Sequence, residues 1–219
     1  GQYVFVGENT TAASYNTTVG SGSMQYLNNG NDGNSALGSG ACWNLNGDYN
    51  SAVGVNALGE GFGNENVAIG AFSMANSSGD YNTAVGNSSL QLAAGANNTA
   101  IGYNSSRQMV TGSFNTAVGY GSQELASASY NTAIGQHSLR SASASFNSAF
   151  GYESLLNSTT GTSNSALGYQ SMHENTSGIR NVASGVFSFY ENTNGSFNTG
   201  IGYASGDFNT GNNNCVYVG

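Results

Sequence analysis

Asn82-Thr83-Ala84-Val85-Gly86 is one copy of a five-residue phrase that recurs along the whole chain. The phrase reads Asn, then Thr, Ser or Val, then Ala, then an apolar residue, then Gly. Its Gly is irregularly spaced only at the start, from Gly7 to Gly20 and on to Gly38, and then returns at a nearly constant interval as far as Gly219. A fixed short period over a whole chain is typical of a solenoid, in which each repeat stacks on the next. The sequence therefore predicts an all-β, parallel β-solenoid in a single domain over residues 1–219, with about thirteen coils of 16–17 residues.

The composition disfavours several classes of function. Charged residues make up 6% of the chain, Lys is absent and the net charge is -8. With Arg107, Arg140 and Arg180 as the cations, no basic patch can neutralise phosphates, so no nucleic-acid binding is expected. Because no apolar run reaches the length of a membrane-spanning helix, we expect no membrane insertion either. No basic and apolar leader precedes the repeat at Gly1, and we expect a piece of a longer protein.

The two cysteines are expected to stay apart. Cys42 and Cys215 are separated by about eleven coils, roughly 50 Å at ~4.8 Å per coil, which is far beyond disulfide geometry. Cys42 stands at an apolar repeat position and is predicted to be a small buried hydrophobic residue. Whether either cysteine bonds to another chain stays open at this point.

One strand per coil is predicted over the phrase, and its side chains alternate between two faces. The residue before the Gly therefore shares a face with the Thr, Ser or Val two places earlier. This pre-Gly position is apolar in thirteen of fourteen copies, with Ser184 the exception. We interpret it as the core stripe of the coil. Its predicted members are Val53, Ile69, Val85, Ile101, Val118, Ile134 and Leu167.

The opposite face of the strand carries Asn and Ala, in twelve and ten copies respectively. Stacked identical amides form hydrogen-bonded ladders. This predicts an Asn ladder of Asn50, Asn66, Asn82, Asn98, Asn115, Asn131 and Asn147. A position that is held to Ala indicates crowding by a neighbouring backbone, and the alternative is a solvent face that tolerates Ala. We therefore expect an inter-chain face formed by Ala84, Ala100, Ala117 and Ala133.

A second wall of the coil is predicted after the Gly. Three residues on, the side chain is small, as at Ser73, and the next residue is usually Leu, Met or Phe, as at Met74. One large side chain per coil should point inward from this wall. The variable polar residues that follow supply the return turn and absorb the small variation in coil length.

The phrase Asn-Thr-Ala-Val-Gly-Tyr, with Ser-Leu after it, resembles the head repeats of trimeric autotransporter adhesins, the YadA-like heads. It is also similar to the NTAVG-type repeats of phage tail fibres and related bacterial surface proteins. The resemblance covers the chain from about Asn16 to Gly219. It implies a left-handed parallel β-roll, three chains side by side about a common axis, and an extracellular, cell-surface or virion location.

Aromatic residues recur directly before the Asn and directly after the Gly. Exposed aromatic rows beside amides can bind sugars by stacking and hydrogen bonding, and the candidates for glycan contact are Tyr103, Tyr120, Tyr152 and Tyr169. The favoured interpretation is that these rings pack on one another, or between chains, and stiffen the rod. His137 and His173 lie in different coils without a shared ligand spacing. No catalytic residue, metal ligand or cofactor is expected.

Three functions are compatible with these patterns. The first is a non-catalytic structural or adhesive rod of an extracellular or virion fibre, such as the shaft or head of a phage tail fibre, built as a homotrimer. The second is the head of a bacterial surface adhesin that binds host matrix or glycan. The third is the subunit of a self-polymerising extracellular filament that associates end to end, because neither terminal segment has a polar cap.

The expected partners are copies of the chain itself and a cell-surface glycan or protein receptor. Ice binding is disfavoured for two reasons. The Thr rank is mixed with Ser and Val, and it is expected to face the core.

Overall fold

A computed structural model describes residues 6–7, 15–26, 30–141 and 143–219. Within these ranges the chain forms fourteen short strands and no helix. The strands are β1 Val6–Gly7, β2 Thr17–Val19, β3 Ser35–Leu37, β4 Ser51–Val53, β5 Val67–Ile69, β6 Thr83–Val85, β7 Thr99–Ile101, β8 Thr116–Val118, β9 Thr132–Ile134, β10 Ser148–Phe150, β11 Ser165–Leu167, β12 Val182–Ser184, β13 Thr199–Ile201 and β14 Val216–Val218.

The chain divides into two compact units, Gly1–Val110 and Thr111–Gly219. In the first unit, β2 to β7 pair in chain order, parallel and in register, with Ala opposite Ala from β3 onward. In the second unit, β8 to β14 pair in the same way, with Ala opposite Ala from β8 to β12. Parallel pairing of consecutive strands, one coil apart, confirms the predicted β-solenoid. The single domain over residues 1–219 stays a prediction.

The first strand departs from the stack. β1 pairs antiparallel with β2, with Val6 opposite Val19 and Gly7 opposite Thr18. The position of this phrase in the repeat had predicted that the copy ending at Gly7 forms the first parallel strand of the solenoid. That prediction is wrong, because β1 is antiparallel to β2. The interval from this Gly to the next one is shorter than any later interval, and it is too short for a full coil. Tyr3, Val4 and Phe5, which belong to the same copy, lie outside the described residues.

The two faces of each strand are the reverse of those predicted. The pre-Gly residues point out of the coil, so the predicted core stripe is wrong. Five of its members are between 39% and 55% exposed: Val53, Ile69, Ile101, Ile134 and Leu167. The other two, Val85 and Val118, are half-buried. The residues that fill the coil are Ala84, Ala100, Ala117 and Ala133, which are all 0% exposed, so the predicted inter-chain Ala face is also wrong.

The Ala position is crowded, as the sequence indicated, but the crowding comes from its own coil. The second wall lies directly opposite and sends a large side chain inward in most of the described coils. Leu90, Leu139, Leu155, Met74 and Met172 are fully buried there. Ala is the residue that leaves room for them. A larger side chain at Ala100 would therefore overpack the interior of the coil and not a contact between chains.

Gly200 shows how little space the interior has. It takes the place of Ala in β13, and a Cβ built on it would lie 2.9 Å from Phe189 Cε2 and 2.9 Å from Ser188 Oγ. Phe189 occupies the position that holds Leu155 or Met172 in earlier coils. The larger ring on one wall is thus matched by the loss of a methyl group on the other.

The second wall buries two consecutive residues, which a regular strand cannot do. Ser73 and Met74 are both buried, because Met74 has left-handed backbone with φ 51° and breaks the alternation. This wall is also hydrogen-bonded in both directions along the stack. The N–H of Phe72 donates to Val55 O in the coil before, at 2.9 Å, and the N–H of Met74 donates to Ser89 O in the coil after, at 2.9 Å.

The Asn rank is buried and, within each unit, its side chains clamp one coil to the next. Asn82 Oδ1 accepts the backbone N–H of Asn98 at 2.9 Å, and Asn82 Nδ2 donates to Gly95 O at 3.0 Å. The same pair of bonds recurs at Asn50, Asn115, Asn131 and Asn147. Amide-to-amide bonds occur within the rank, as between Asn50 and Asn34, but the repeated contact joins side chain to backbone.

The Gly at the end of the phrase is required for two reasons. Gly86 has φ 132°, and a Cβ there would lie 2.5 Å from Gly102 O in the next coil. A side chain is therefore excluded both by backbone conformation and by the approach of the neighbouring coil.

We predict that Asn82→Ala and Asn82→Asp both destabilise the first unit. Alanine leaves the N–H of Asn98 and the carbonyl of Gly95 without their partner, and aspartate loses the donor and buries a carboxylate. The expected loss is about 1–3 kcal/mol for Ala and more for Asp. Urea unfolding followed by circular dichroism measures it, with Asn87→Ala as the exposed control. Equal stability of Asn82→Ala and Asn87→Ala would show that the clamp contributes nothing.

We predict that Gly200→Ala destabilises the second unit and that Phe189→Leu restores most of the loss. The added Cβ overpacks the coil by about 1–3 kcal/mol, while the smaller leucine reopens the space. A double-mutant cycle from thermal melts measures the coupling. Additive effects of the two substitutions would contradict the size compensation.

Candidate interaction surfaces

The outer face of the strands is an uncharged surface with two ranks of side chains. One rank holds Thr, Ser or Val at the first residue of each strand, and the other holds the apolar pre-Gly residue. From β2 to β7 in the first unit and from β8 to β14 in the second, neither rank contains a charged residue. Successive coils place equivalent side chains ~4.8 Å apart. This is a regular, mostly apolar strip on each unit.

The Thr rank lies on this outer face, contrary to the expectation that it faces the core. Thr, Ser and Val all occur in it, as at Thr83, Ser51 and Val67. The mixture therefore remains the reason against an ice-binding array.

The aromatic row before the Asn forms a stack in the second unit. Phe114, Tyr130 and Phe146 are each 51–60% exposed, and neighbouring rings lie 5.1 Å apart with their planes 4° from parallel. Such offset-stacked rings add about 0.5–1.5 kcal/mol per pair beyond burial. The row therefore stiffens the stack of coils while it leaves the ring edges in solvent.

The glycan candidates after the Gly are all on the surface but do not form one platform. Tyr152 and Tyr169 stack at 5.1 Å and 10°, and Tyr169 meets Phe187 edge-on at 5.4 Å. Tyr120 lies tilted against His137 at 5.2 Å. Tyr103 is half exposed and belongs to the first unit. In the second unit, the packing of rings on one another agrees with the favoured interpretation of these rows.

A polar cluster joins three successive coils of the second unit. Its centre is His173, which is 8% exposed. The Nδ1 of this ring lies 2.7 Å from Glu174 Oε1, its Nε2 lies 3.5 Å from Glu153 Oε2, and the ring stacks on Tyr190 at 5.0 Å. Gln170 Nε2 also donates to Glu153 Oε2, at 2.7 Å. These mutual contacts make the cluster a cross-link between coils.

The carboxyl of Glu153 has a lowered pKa. Burial raises this pKa, but hydrogen bonds from Gln170 and Tyr152 and the nearby His173 and His137 outweigh it. Burial first, and then the neighbouring carboxylates led by Glu174, raise the pKa of the Tyr190 hydroxyl. These contacts favour the ionised form of Glu153 in the folded chain.

Both cysteines are free, and their surroundings differ. Cys42 is fully buried, and burial raises the pKa of its thiol to about 12, so it behaves as a small core residue as the sequence indicated. Cys215 is half-buried, and its Sγ lies 3.4 Å from Asn213 O. A thiol bond to another chain could therefore form at Cys215 but not at Cys42.

No group of three His, Cys, Asp or Glu side chains in the described ranges is arranged to hold a metal ion. The same part of the chain contains no helix that is long and apolar enough to cross a membrane. Comparison of the chain with family models, with curated proteins and with solved structures found no match.

The repeat pattern did not predict a groove beside Trp43. Trp43 is the single Trp of the chain, and it lies beside a groove of about 490 Å³ in the first unit. The signal was present in the sequence as a departure from the repeat. A Trp stands five residues after Gly38, where the next two coils carry Gly59 and Ala75.

We predict that acid destabilises the second unit through Glu153. A lowered folded-state pKa means that the stabilisation is present above the unfolded pKa and is lost as the pH falls through the folded pKa. Melting temperatures between pH 7 and roughly pH 3 should fall less steeply for Glu153→Gln than for the parent. Glu191→Gln, at an exposed carboxylate of the same unit, is the control and should keep the parent's slope.

Proposed function

We propose that this chain is a rod segment of an extracellular or virion fibre, in which three copies pack side by side through the outer faces of their strands. The observation that carries the proposal is the exposed apolar rank of the strands. Ile101 and Ile134 keep 41% and 39% of their surface in solvent although they belong to regular, uncharged strips.

Burial of such strips against other copies would be favourable at every coil. Each partly exposed Val, Ile or Leu gains on the order of 1 kcal/mol when the remaining apolar surface is covered. The strips carry no charge that would have to be desolvated. Contiguous apolar patches of this kind are typical of protein–protein contacts.

The number of chains rests on the resemblance to trimeric adhesin heads and tail fibres. The inter-chain face is the Val and Ile rank, and it replaces the Ala rank that the sequence had suggested. The exposed aromatic rows would then lie beside the contact between chains and be available for a receptor. The role proposed here is structural and adhesive, with left-handed coils as the resemblance implies.

We predict that Ile101→Asp with Ile134→Asp converts the trimer into monomers while the coils stay folded. The charges oppose association, but the two side chains do not lie in the interior of the coil, so the solenoid should survive. Light scattering measures the mass and circular dichroism measures the strand content.

The matched control is Val110→Asp, which changes an apolar residue that is 53% exposed outside the strand face. This control should stay trimeric. A monomeric parent, or a double variant that remains trimeric, would overturn the proposed packing. If the double variant unfolds, the two isoleucines contribute to the core of the coil, and their assignment to the outer face is wrong.

A further inference from the structure

The groove beside Trp43 arises from missing side chains. In the first unit, the fifth residue after the Gly lies on the outside of the second wall, and it is large in several coils, as at Gln25, Trp43 and Gln91. Between Trp43 and Gln91 the two intervening coils carry Gly59 and Ala75. Two consecutive small residues therefore leave a depression beside Trp43, within a groove whose lining extends over four coils, from Ser21 to Asn76.

The walls of the depression combine apolar and amide surface. Phe72 stands on its rim with 41% of its surface exposed. The side chain of Asn56 lies against Gly40, and a Cβ on that glycine would be 2.2 Å from Asn56 Oδ1. We call the space lined by Gly40, Trp43, Asn56, Gly59, Phe72 and Ala75 the Trp43 groove.

The indole is held in place before any ligand arrives. Trp43 Nε1 donates to Gln25 Oε1 at 3.2 Å, and Tyr26 meets the indole edge-on at 5.2 Å and 87°. A fixed aromatic ring loses little entropy on binding. The hydrogen bond fixes the indole nitrogen, and Tyr26 packs against the ring system. Trp43 is therefore a preformed platform.

The polar groups of the groove suit hydroxyl groups. Asn56, Asn76 and Gln25 offer amides, and Glu60 is the charged residue among the described lining residues, which include no cation. An anionic ligand would meet Glu60 without a compensating positive charge. The volume falls in the range of roughly 300–1,000 Å³ that is typical of small-ligand sites.

From this geometry we infer that the Trp43 groove binds a neutral pyranose saccharide, with one sugar ring stacked on the indole and its hydroxyls bonded to Asn56, Asn76 and Glu60. The apolar face of a pyranose matches an aromatic platform, and its equatorial hydroxyls match amides and a carboxylate. This inference deepens the proposed adhesive role and rests on it, because it supplies the receptor chemistry. The outward strand ranks do not line the groove, so side-by-side packing through those ranks and sugar binding use different residues.

The test is a titration of the intact chain with four neutral oligosaccharides: maltotetraose, cellotetraose, mannotetraose and chitotetraose. Trp43 is the single Trp, so any change in indole emission reports on this groove alone. Isothermal titration calorimetry on the same samples gives the affinity. Sialyllactose serves as the anionic comparison.

We expect at least one neutral saccharide to shift the Trp43 emission at millimolar concentration and to bind more tightly than sialyllactose. Trp43→Ala should lower the calorimetric affinity roughly tenfold or more through loss of the stacking platform. Ala75→Gln fills the groove with the residue that stands at the same repeat position in other coils, Gln25 and Gln91. This variant should therefore fold normally, and it should weaken binding by a similar factor. Tyr81→Ala, at an exposed ring that does not line the groove, should leave the affinity unchanged.

The inference is overturned if no neutral saccharide changes the emission, if sialyllactose binds more tightly, or if Ala75→Gln binds as well as the parent. The result is separable from the fibre proposal, because Ala75→Gln should not alter the mass measured by light scattering. If the parent is a monomer and binds a saccharide, saccharide binding in the Trp43 groove is supported and the trimer is rejected. If the parent is a trimer and binds none of the four saccharides, the trimer is supported and saccharide binding is rejected.

Discussion

Within each unit, a buried Asn before the strand links one coil to the coil that follows it. Strands of three residues supply few ladder bonds, and the amide adds two more across the same junction, one to an N–H and one to a carbonyl. Both bonds lie inside the coil, where water cannot compete. This explains how a chain with so many Gly, Asn and Ser residues can hold a regular fold. The interior is a polar backbone lattice filled by Ala methyl groups and, in most coils, by one Leu or Met side chain.

The period of the repeat was sufficient to predict the solenoid, the position of its strands and the residues that share a face. It did not reveal which face is inside. Alternation along the strand places Asn and Ala on one face and Thr and Val on the other, but it does not show which face is buried. Hydrophobicity favoured Val85 over Ala84 as the buried residue. The interior proved too narrow for branched side chains on both walls. The relevant signal was size, since Gly200 replaces Ala where Phe189 replaces Leu or Met.

The candidate sites illustrate a related point about repeats. Aromatic residues that recur at equivalent positions of neighbouring coils stack on one another one coil apart. Their periodicity is explained by the stack itself. Trp43, Gly59 and Ala75 depart from the pattern and together create a concave surface, which no regular row provides. Recurring positions do not indicate such a site, because a missing side chain becomes a cavity only when the neighbouring coils are in place.

The pairing of Phe189 with Gly200 has a consequence for how such a chain can lengthen or shorten. Recombination between near-identical phrases would insert or delete whole coils, and a junction would accept the exchange where Ala faces Leu or Met on both sides. A crossover between residues 189 and 200 is different, since it would place Phe189 against an ordinary Ala. The two positions must be inherited together, so the coil that carries Phe189 cannot be exchanged independently of the strand that carries Gly200.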